Sequence, residues 1–241
     1  MNKGLSVCFA GVVIGISSRS DYMQRFLVDY LTDEKPLFSV SVTEDKVNEE
    51  LKNADEPTTF DYAEALCLYR ETAEKLPLYD RIVFHGAAIE YKGKAYIFTA
   101  PSGTGKTTHI GLWKRYLGDK VKIINGDKPI LSLSDGKITV HGTPYAGKEG
   151  WQTNMSAKLG GVCFLSRAKN NEITAVSPKD AFTRLYLQTY KPKTEEAVRK
   201  TVEVLRTLCT VPCFAFSCNM TEDAVKTSFE ALTKETYGDM I

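Results

Sequence analysis

Several large protein classes are excluded by what this chain does not contain. No apolar run is long enough to cross a bilayer, which takes about 20 residues. The most membrane-like stretch, Leu5 to Ile16, falls short of that and ends without a small-x-small cleavage site. Charge of one sign is also missing. The formal net charge is +1, and Lys and Arg are scattered with no basic stripe interleaved with aromatics, so neither nucleic acid nor an acidic membrane is expected as a partner. The six cysteines form no Cys-x-x-Cys pair. Cys209, Cys213 and Cys218 cluster, but no histidine is near them and their spacing misses the zinc patterns, so buried free thiols are expected. There are no internal repeats and no low-complexity tract. A hydrophobic content of 43% with 25% charged residues is ordinary for a globular chain long enough to bury a real core.

One further absence is local. The stretch YIFTAPSGTGKTTHIGLW, from Tyr96 to Trp113, carries the Gly-Lys-Thr core of a phosphate-binding loop, yet Ala100 stands where the pattern G-x-x-x-x-G-K-[ST] begins with glycine. Such a loop works by pointing successive backbone N–H groups into one concavity closed by a helix N-terminus. Ser102, Gly103, Thr104 and Gly105 supply small residues, Lys106 the cation and Thr107 a hydroxyl for Mg²⁺. Alanine fails at position 100 only if a positive φ is needed there. The context is a β-prone strand, Ala95 to Thr99, and then Ile110, Trp113, Tyr116 and Leu117 at helical spacing. The expected ligand is a nucleotide, ATP, held by Pro101, Ser102, Gly103, Thr104, Gly105, Lys106, Thr107 and Thr108. An ATP-type loop also implies a reducing cytosol, and the cytoplasm is the expected location.

Around this motif the chain alternates strands and helices, which argues an α/β fold. Leu5 to Ile16 reads as two strands bent around Gly11. Ser20 or Asp21 opens a helix with Phe26, Leu27, Tyr30 and Leu31 on one face. Leu37 to Val42 alternates like a strand, Asp45 to Leu51 reads as a short helix, and Tyr62 to Leu76 as a longer one ended by Pro77. Arg81 to Glu90 and Lys94 to Thr99 read as strands paired about Lys92-Gly93. Beyond the loop come a strand at Gly161 to Leu165, a helix from Pro178 to Tyr190, a charged helix from Thr194 to Thr207, a strand at Pro212 to Ser217 and a last helix from Thr221 to Thr233. A boundary near Pro77 separates a small N-terminal α/β lobe, residues 1–76, from a nucleotide-binding unit, residues 77–241.

Two further segments carry chemistry. Val121 to Asp127 is a β-branched strand that ends in a carboxylate, after Gly126, which permits a sharp turn. A strand ending in Asp downstream of a phosphate-loop helix brings a metal- or proton-handling group beside the phosphates; a plain Asp at a turn before Lys128-Pro129 is the alternative. HGTPYAGKEGW, His141 to Trp151, reads as a loop in which Lys148 could neutralise a phosphate and Glu149 could ligate Mg²⁺ through water, or as a solvated surface loop.

The run from His85 to Leu131, HGAAIEYKGKAYIFTAPSGTGKTTHIGLWKRYLGDKVKIINGDKPIL, resembles the catalytic domain of HPr kinase/phosphorylase-like proteins, which share a fold with ATP-dependent phosphoenolpyruvate carboxykinase. GVCFLSRA, PKDAFTRLYLQTY and VPCFAFSCNMTEDAV match the downstream rhythm of that group's smaller members. The resemblance runs from about Leu76 to the C-terminus. It implies a P-loop kinase domain with a mixed sheet flanked by helices, Ser102 to Thr108 on the ATP phosphates, Thr107 on Mg²⁺, His85 beside the loop and Asp127 at the acidic site. That family has two neighbouring acids where this chain has Gly126-Asp127, so one carboxylate must serve, as base or as metal ligand. Members are often oligomeric, which leaves a homo-oligomer open.

The expected activity is transfer of the γ-phosphoryl group of ATP, with Mg²⁺, to a hydroxyl such as the serine of a peptide, a protein or a free amino acid. Lys106 and the metal neutralise the β/γ oxygens, Asp127 accepts the proton, and Lys148 or Arg167 screens the moving group. His85 is either part of this site or a strand histidine hydrogen-bonded in the core. One rival is a non-catalytic ATP-binding regulatory or peptide-binding module. The other is carboxykinase chemistry, disfavoured because the chain is short and lacks a recognisable second-metal Lys/His pair.

Overall fold

The computed structural model describes residues 3–54 and 56–240. It begins with a hairpin of β1 (Lys3–Phe9) and β2 (Val12–Ser18), turned at Ala10-Gly11 with Phe9 opposite Val12. The strand β3 (Phe38–Val40) joins β2 in parallel to complete a three-stranded sheet. Between them the expected single helix is cut short. Only α1 (Tyr22–Phe26) is α-helical, followed by a 3₁₀ turn over Val28–Tyr30. The cause is tertiary: Leu31 bridges to Val7 and the Thr32 N–H donates to the Ser6 carbonyl at 3.0 Å, pulling the chain onto the edge of β1.

Two helices follow, α2 (Glu44–Lys52) and α3 (Phe60–Lys75). Thr43 and Thr59 cap them by accepting from the amides of Lys46 and Tyr62. A 3₁₀ turn with Pro77 in its first turn ends α3. The core beneath the small sheet gathers Ile14, Met23, Leu27, Val47 and Leu68, and it also takes in Val83, Ile130 and Tyr145 from beyond Pro77.

The second sheet has nine strands. In chain order they are β4 (Arg81–Val83), β5 (Ala87–Tyr91), β6 (Lys94–Thr99), β7 (Val121–Asn125), β8 (Ile130–Ser134), β9 (Lys137–His141), β10 (Ser156–Arg167), β11 (Glu172–Ala175) and β12 (Cys213–Cys218). The helices are α4 (Lys106–Leu117), α5 (Pro178–Leu187), α6 (Glu195–Leu208) and α7 (Glu222–Thr233). The pairing path runs β4-β8-β9-β10-β6-β5-β7, and β12 joins the far half of β10 in parallel and carries β11. The expected strand from Arg81 to Glu90 is therefore two strands far apart on that path, β4 at one end and β5 next to last at the other. Only Phe84, His85 and Gly86 separate them, because their N–H groups leave the sheet for the carbonyls of Pro129, Gln188 and Asp127. The link from β7 to β8 makes the same jump. The two ends of the sheet thus meet, and the sheet curls, with His85 and Asp127 at the seam.

The fold is a mixed α/β arrangement, a curled sheet flanked by helices. Trp113 of α4 is fully buried against Phe98, Tyr96 and Phe229, which ties the helix after the loop to β6 and α7. The six cysteines are all free. Cys209 and Cys213 are buried as expected, whereas Cys218 is half-exposed at the end of β12. Among the described residues, no helix is long and apolar enough to cross a membrane.

Candidate functional site

The site begins where β6 stops. Residues 100–105 leave the strand, double back and enter α4. Gly103 and Gly105 sit at φ of +75° and +120°, conformations that side chains strongly resist. Ala100 has no positive φ and is buried, so the methyl group in place of the usual first glycine costs nothing. The amides of Gly103, Gly105, Lys106, Thr107 and Thr108 find no protein acceptor among the described residues. Successive free amides at the start of a helix of 12 residues form a cradle suited to an anion. Lys106 reaches back over this loop, its Nζ donating to the Ala100 carbonyl at 3.0 Å. Burial pushes its ammonium down, and nearby Asp127 offsets part of that. Arg167, at the end of β10, donates from Nε to the Thr104 carbonyl at 3.1 Å and also to the Gly103 carbonyl. It is a strut for the loop.

Asp127 is set by Asn125. That side chain is fully buried; its amide donates to the Thr143 carbonyl at 2.8 Å, and its Oδ1 accepts from the amides of Asp127 at 2.8 Å and Lys128 at 2.7 Å. The resulting Asx turn aims the Asp127 carboxylate out of the seam. Gly126 has no room for a side chain: a Cβ there would lie 2.8 Å from the Ala146 carbonyl oxygen. A neighbouring acid at this position is sterically barred.

Asp127 is flanked on two sides. His85 Nε2 lies 3.3 Å from Oδ1, and Lys128 Nζ lies 3.2 Å from the carboxylate. Burial pushes the Asp127 carboxyl up, but the His85 hydrogen bond and the Lys128 charge outweigh it, leaving Asp127 below the ordinary carboxylate range and ionised at neutral pH. His85 is itself held at Nδ1, 3.0 Å from Gln188 Oε1, while its backbone N–H donates to the Gln188 carbonyl at 2.7 Å. Both ring nitrogens thus face oxygen atoms; with the ring proton on Nε2 toward Asp127, Nδ1 is an acceptor and is satisfied when the Gln188 amide turns its nitrogen toward it.

One cleft of about 500 Å³ is lined by His85, Ser102, Gly103, Gly105, Lys106, Thr107, Thr108, Asp127, Lys148, Glu149 and Arg167. Pro101 and Thr104 lie just outside it, on an adjoining open depression that shares Ser102, Gly103 and Arg167. Lys148 is 79% exposed and its Nζ is ion-paired at 2.7 Å with Glu56, from the segment before α3. Glu149 is exposed. Among the described residues no three His, Cys, Asp or Glu side chains gather into a metal cluster. The side-chain oxygens lining the cleft include the Thr107 hydroxyl and the carboxylates of Asp127 and Glu149, a hard donor set of the kind a phosphate-borne Mg²⁺ uses, since that ion takes only one or two protein carboxylates.

Four residues enter the site without having been singled out in the sequence. Lys128 and Asn125 were within reach, since Asn-Gly-Asp is a turn signal with Lys128 next in line. Tyr62 of α3 also lines the cleft. Gln188 had no signal, as it lies 103 positions from His85.

No family model matches the chain, and no curated protein matches it. Among solved structures it is similar to the HPr(Ser) kinase/phosphatase from Coxiella burnetii, at 10% sequence identity and a TM-score of 0.37, with 63% of this chain and 93% of that chain covered. The likeness is a distant one.

Proposed function

We propose that the chain is an ATP-dependent phosphotransferase that passes the γ-phosphoryl group to a hydroxyl of a serine-type acceptor. The observation that carries this reading is a single cleft in which an amide cradle and an ionised, histidine-backed carboxylate stand together. Residues 102–108 hold the phosphates, and Lys106 leaves its resting contact on the Ala100 carbonyl to meet the β/γ oxygens. Asp127 orients the acceptor hydroxyl and takes its proton as the oxygen attacks the γ-phosphorus. The bond from that phosphorus to the bridging oxygen breaks, and ADP leaves with the electron pair. Thr107, with Asp127 or Glu149, would hold Mg²⁺, whose charge neutralises the phosphate oxygens when bound. Residues 77–241 form the ATP-binding unit in this reading, and residues 1–76 a smaller lobe that faces the acceptor through Tyr62 and Glu56. ATP use fits a cytoplasmic protein.

The deciding experiment follows label from γ-labelled ATP onto a panel of serine-containing peptides and free serine. Asp127→Asn is expected to lower transfer by about 10²-fold or more while ATP binding persists. Transfer at the wild-type rate by that variant would remove Asp127 as the base. A second reading, a nucleotide-binding module without transfer, is favoured by one observation: the lone carboxylate is already paired with His85 and Lys128, and Gly126 bars a second acid. ATP binding with no label on any acceptor would select it.

A further inference from the structure

The main chain of His85 is fixed independently of its ring. Its N–H donates to the Gln188 carbonyl at 2.7 Å, and its own carbonyl accepts from the Thr99 hydroxyl at 2.7 Å. Phe84 bridges to Thr189, and the Tyr190 N–H donates to the Val83 carbonyl at 3.0 Å. Residues 83–85 and 188–190 thus run as a short antiparallel clip made of backbone. The Gln188 side chain adds nothing to that clip. Among the described residues its one hydrogen bond is to the His85 ring, at Nδ1 and 3.0 Å.

The Asp127 carboxylate, in turn, is oriented by that ring. Lys128 Nζ lies 3.2 Å from each of its oxygens, so it attracts the group without choosing between them. His85 Nε2, 3.3 Å from Oδ1, makes the two oxygens different and leaves Oδ2 for an acceptor hydroxyl. The choice holds only while Nε2 carries a proton, because a bare ring nitrogen facing a carboxylate repels it. A neutral imidazole has one ring proton, and the hydrogen bond made at one nitrogen decides whether the other carries it.

We propose that Gln188 is a positioning residue. Its side-chain amide, donating to Nδ1, keeps the ring proton of His85 on Nε2 and so fixes which Asp127 oxygen takes the acceptor's proton. An amide has a donor end and an acceptor end, and a half-turn of the group brings its NH₂ to the place beside Nδ1. The tie through Thr99, the last residue of β6, holds the ring's backbone to the strand end from which the phosphate loop departs. Gln188 touches neither the nucleotide cradle nor Asp127, and its effect reaches the reacting oxygen through His85 alone.

This inference rests on the phosphotransferase reading, and its test has two arms that fail separately. The first arm is nitrogen NMR of the full chain with ¹⁵N-labelled histidine. Three histidines give three sets of ring signals, and His85→Asn identifies the set belonging to His85. The wild type is expected to show Nε2 protonated and Nδ1 bare. Gln188→Leu removes the donor and leaves the backbone clip, so the two tautomers should mix. Gln188→Glu, whose carboxylate only accepts, should draw a proton onto Nδ1.

The second arm is label transfer from γ-labelled ATP. Gln188→Leu is expected to lower kcat about tenfold, the worth of about one hydrogen bond, with the KM for ATP changed by less than about twofold. Gln188→Glu, which favours the wrong tautomer, should lower kcat further, by about 10²-fold or more. A wild-type ring protonated at Nδ1, or a Gln188→Leu ring that keeps its proton on Nε2 alone, overturns the proposal. So does Gln188→Leu at the wild-type kcat, or with a KM that rises as kcat falls, which marks a merely structural contact. If the wild type labels no acceptor, the phosphotransferase reading fails and the positioning role falls with it, whereas the NMR arm still reports the bond between Gln188 and His85.

Discussion

Two histidines lie on opposite sides of the loop at residues 100–105, and their surroundings differ in nearly every respect. His85, at the sheet seam, is half-buried, with Gln188 on one nitrogen and the Asp127 carboxylate on the other. His109, three residues into α4 from Lys106, is 2% exposed, with the rings of Phe98 and Phe216 edge-on to it. Its Nε2 accepts from Trp113 Nε1 at 3.2 Å and lies 3.0 Å from Ser228 Oγ, while Nδ1 has no partner among the described residues. Burial holds it down at about 3, so it is neutral wherever the protein is folded at ordinary pH. The loop therefore divides a side made of charge and turns from a side made of rings and aliphatics. Residue type alone does not mark a reactive histidine; the partner atoms around the ring do.

The sharpest way to break the charged side is through its backbone. Gly126→Asp would restore a pair of neighbouring acids, but its Cβ would lie 2.8 Å from the Ala146 carbonyl and 3.4 Å from that of Trp151. Main chain must move to admit it, so a loss of about 1–3 kcal/mol in stability is expected from denaturant unfolding, with no gain in turnover. A variant as stable as the wild type would show that the steric bar is not what excludes a second acid.

That glycine also marks where the sequence stops being informative. The strand-loop-helix around Lys106 was legible because its signals are local: a β-prone run, small residues at fixed offsets, and an apolar helical face. The hairpin of β8 and β9 is missing from the sequence reading although its signal is local too: Asp135 and Gly136, both at positive φ, stand between alternating apolar residues. Arg81 to Glu90 misled for the opposite reason. Its composition is a continuous strand's, and it breaks only because carbonyls at Asp127, Pro129 and Gln188 claim its amides. Asp127 was identifiable as a strand-end carboxylate, but its pairing with His85 depends on the sheet curling until its two ends meet. No local pattern encodes that closure. The same holds for a pocket on the far side of the loop, which gathers Leu112 of α4, Leu165 of β10 and Met220 after β12.

A smaller effect sharpens the comparison on the apolar side. His109 at about 3 lies below the ordinary value of about 6.5, so the folded state binds fewer protons than the unfolded chain between those limits. Stability present above pH 6.5 is therefore lost as pH falls toward 3, at up to about 1.4 kcal/mol per pH unit from this one group. His109→Asn is expected to be less stable than the wild type at pH 7 but to lose less on acidification. A residual slope should remain, because burial and Arg81 hold His141 at about 4 in the same way. Equal slopes for variant and wild type would mean that the α7 side admits a proton and is not the closed interior described above.

The smallest effect concerns the loop position where the two sides meet. Ala100→Gly restores the pattern's missing first glycine, and a motif-based view expects tighter phosphate binding from it. The geometry gives a different expectation. Ala100 is buried, has no positive φ, and already presents its carbonyl to Lys106 at 3.0 Å. Glycine would add backbone freedom to the unfolded chain and remove a buried methyl group, a loss of about 0.5–1 kcal/mol. Nucleotide affinity should change by no more than about twofold, because the amides that form the cradle lie at residues 103–108. A marked gain in affinity would mean that the alanine strains the loop after all, and that the cradle reaches its working shape only when position 100 is free to turn.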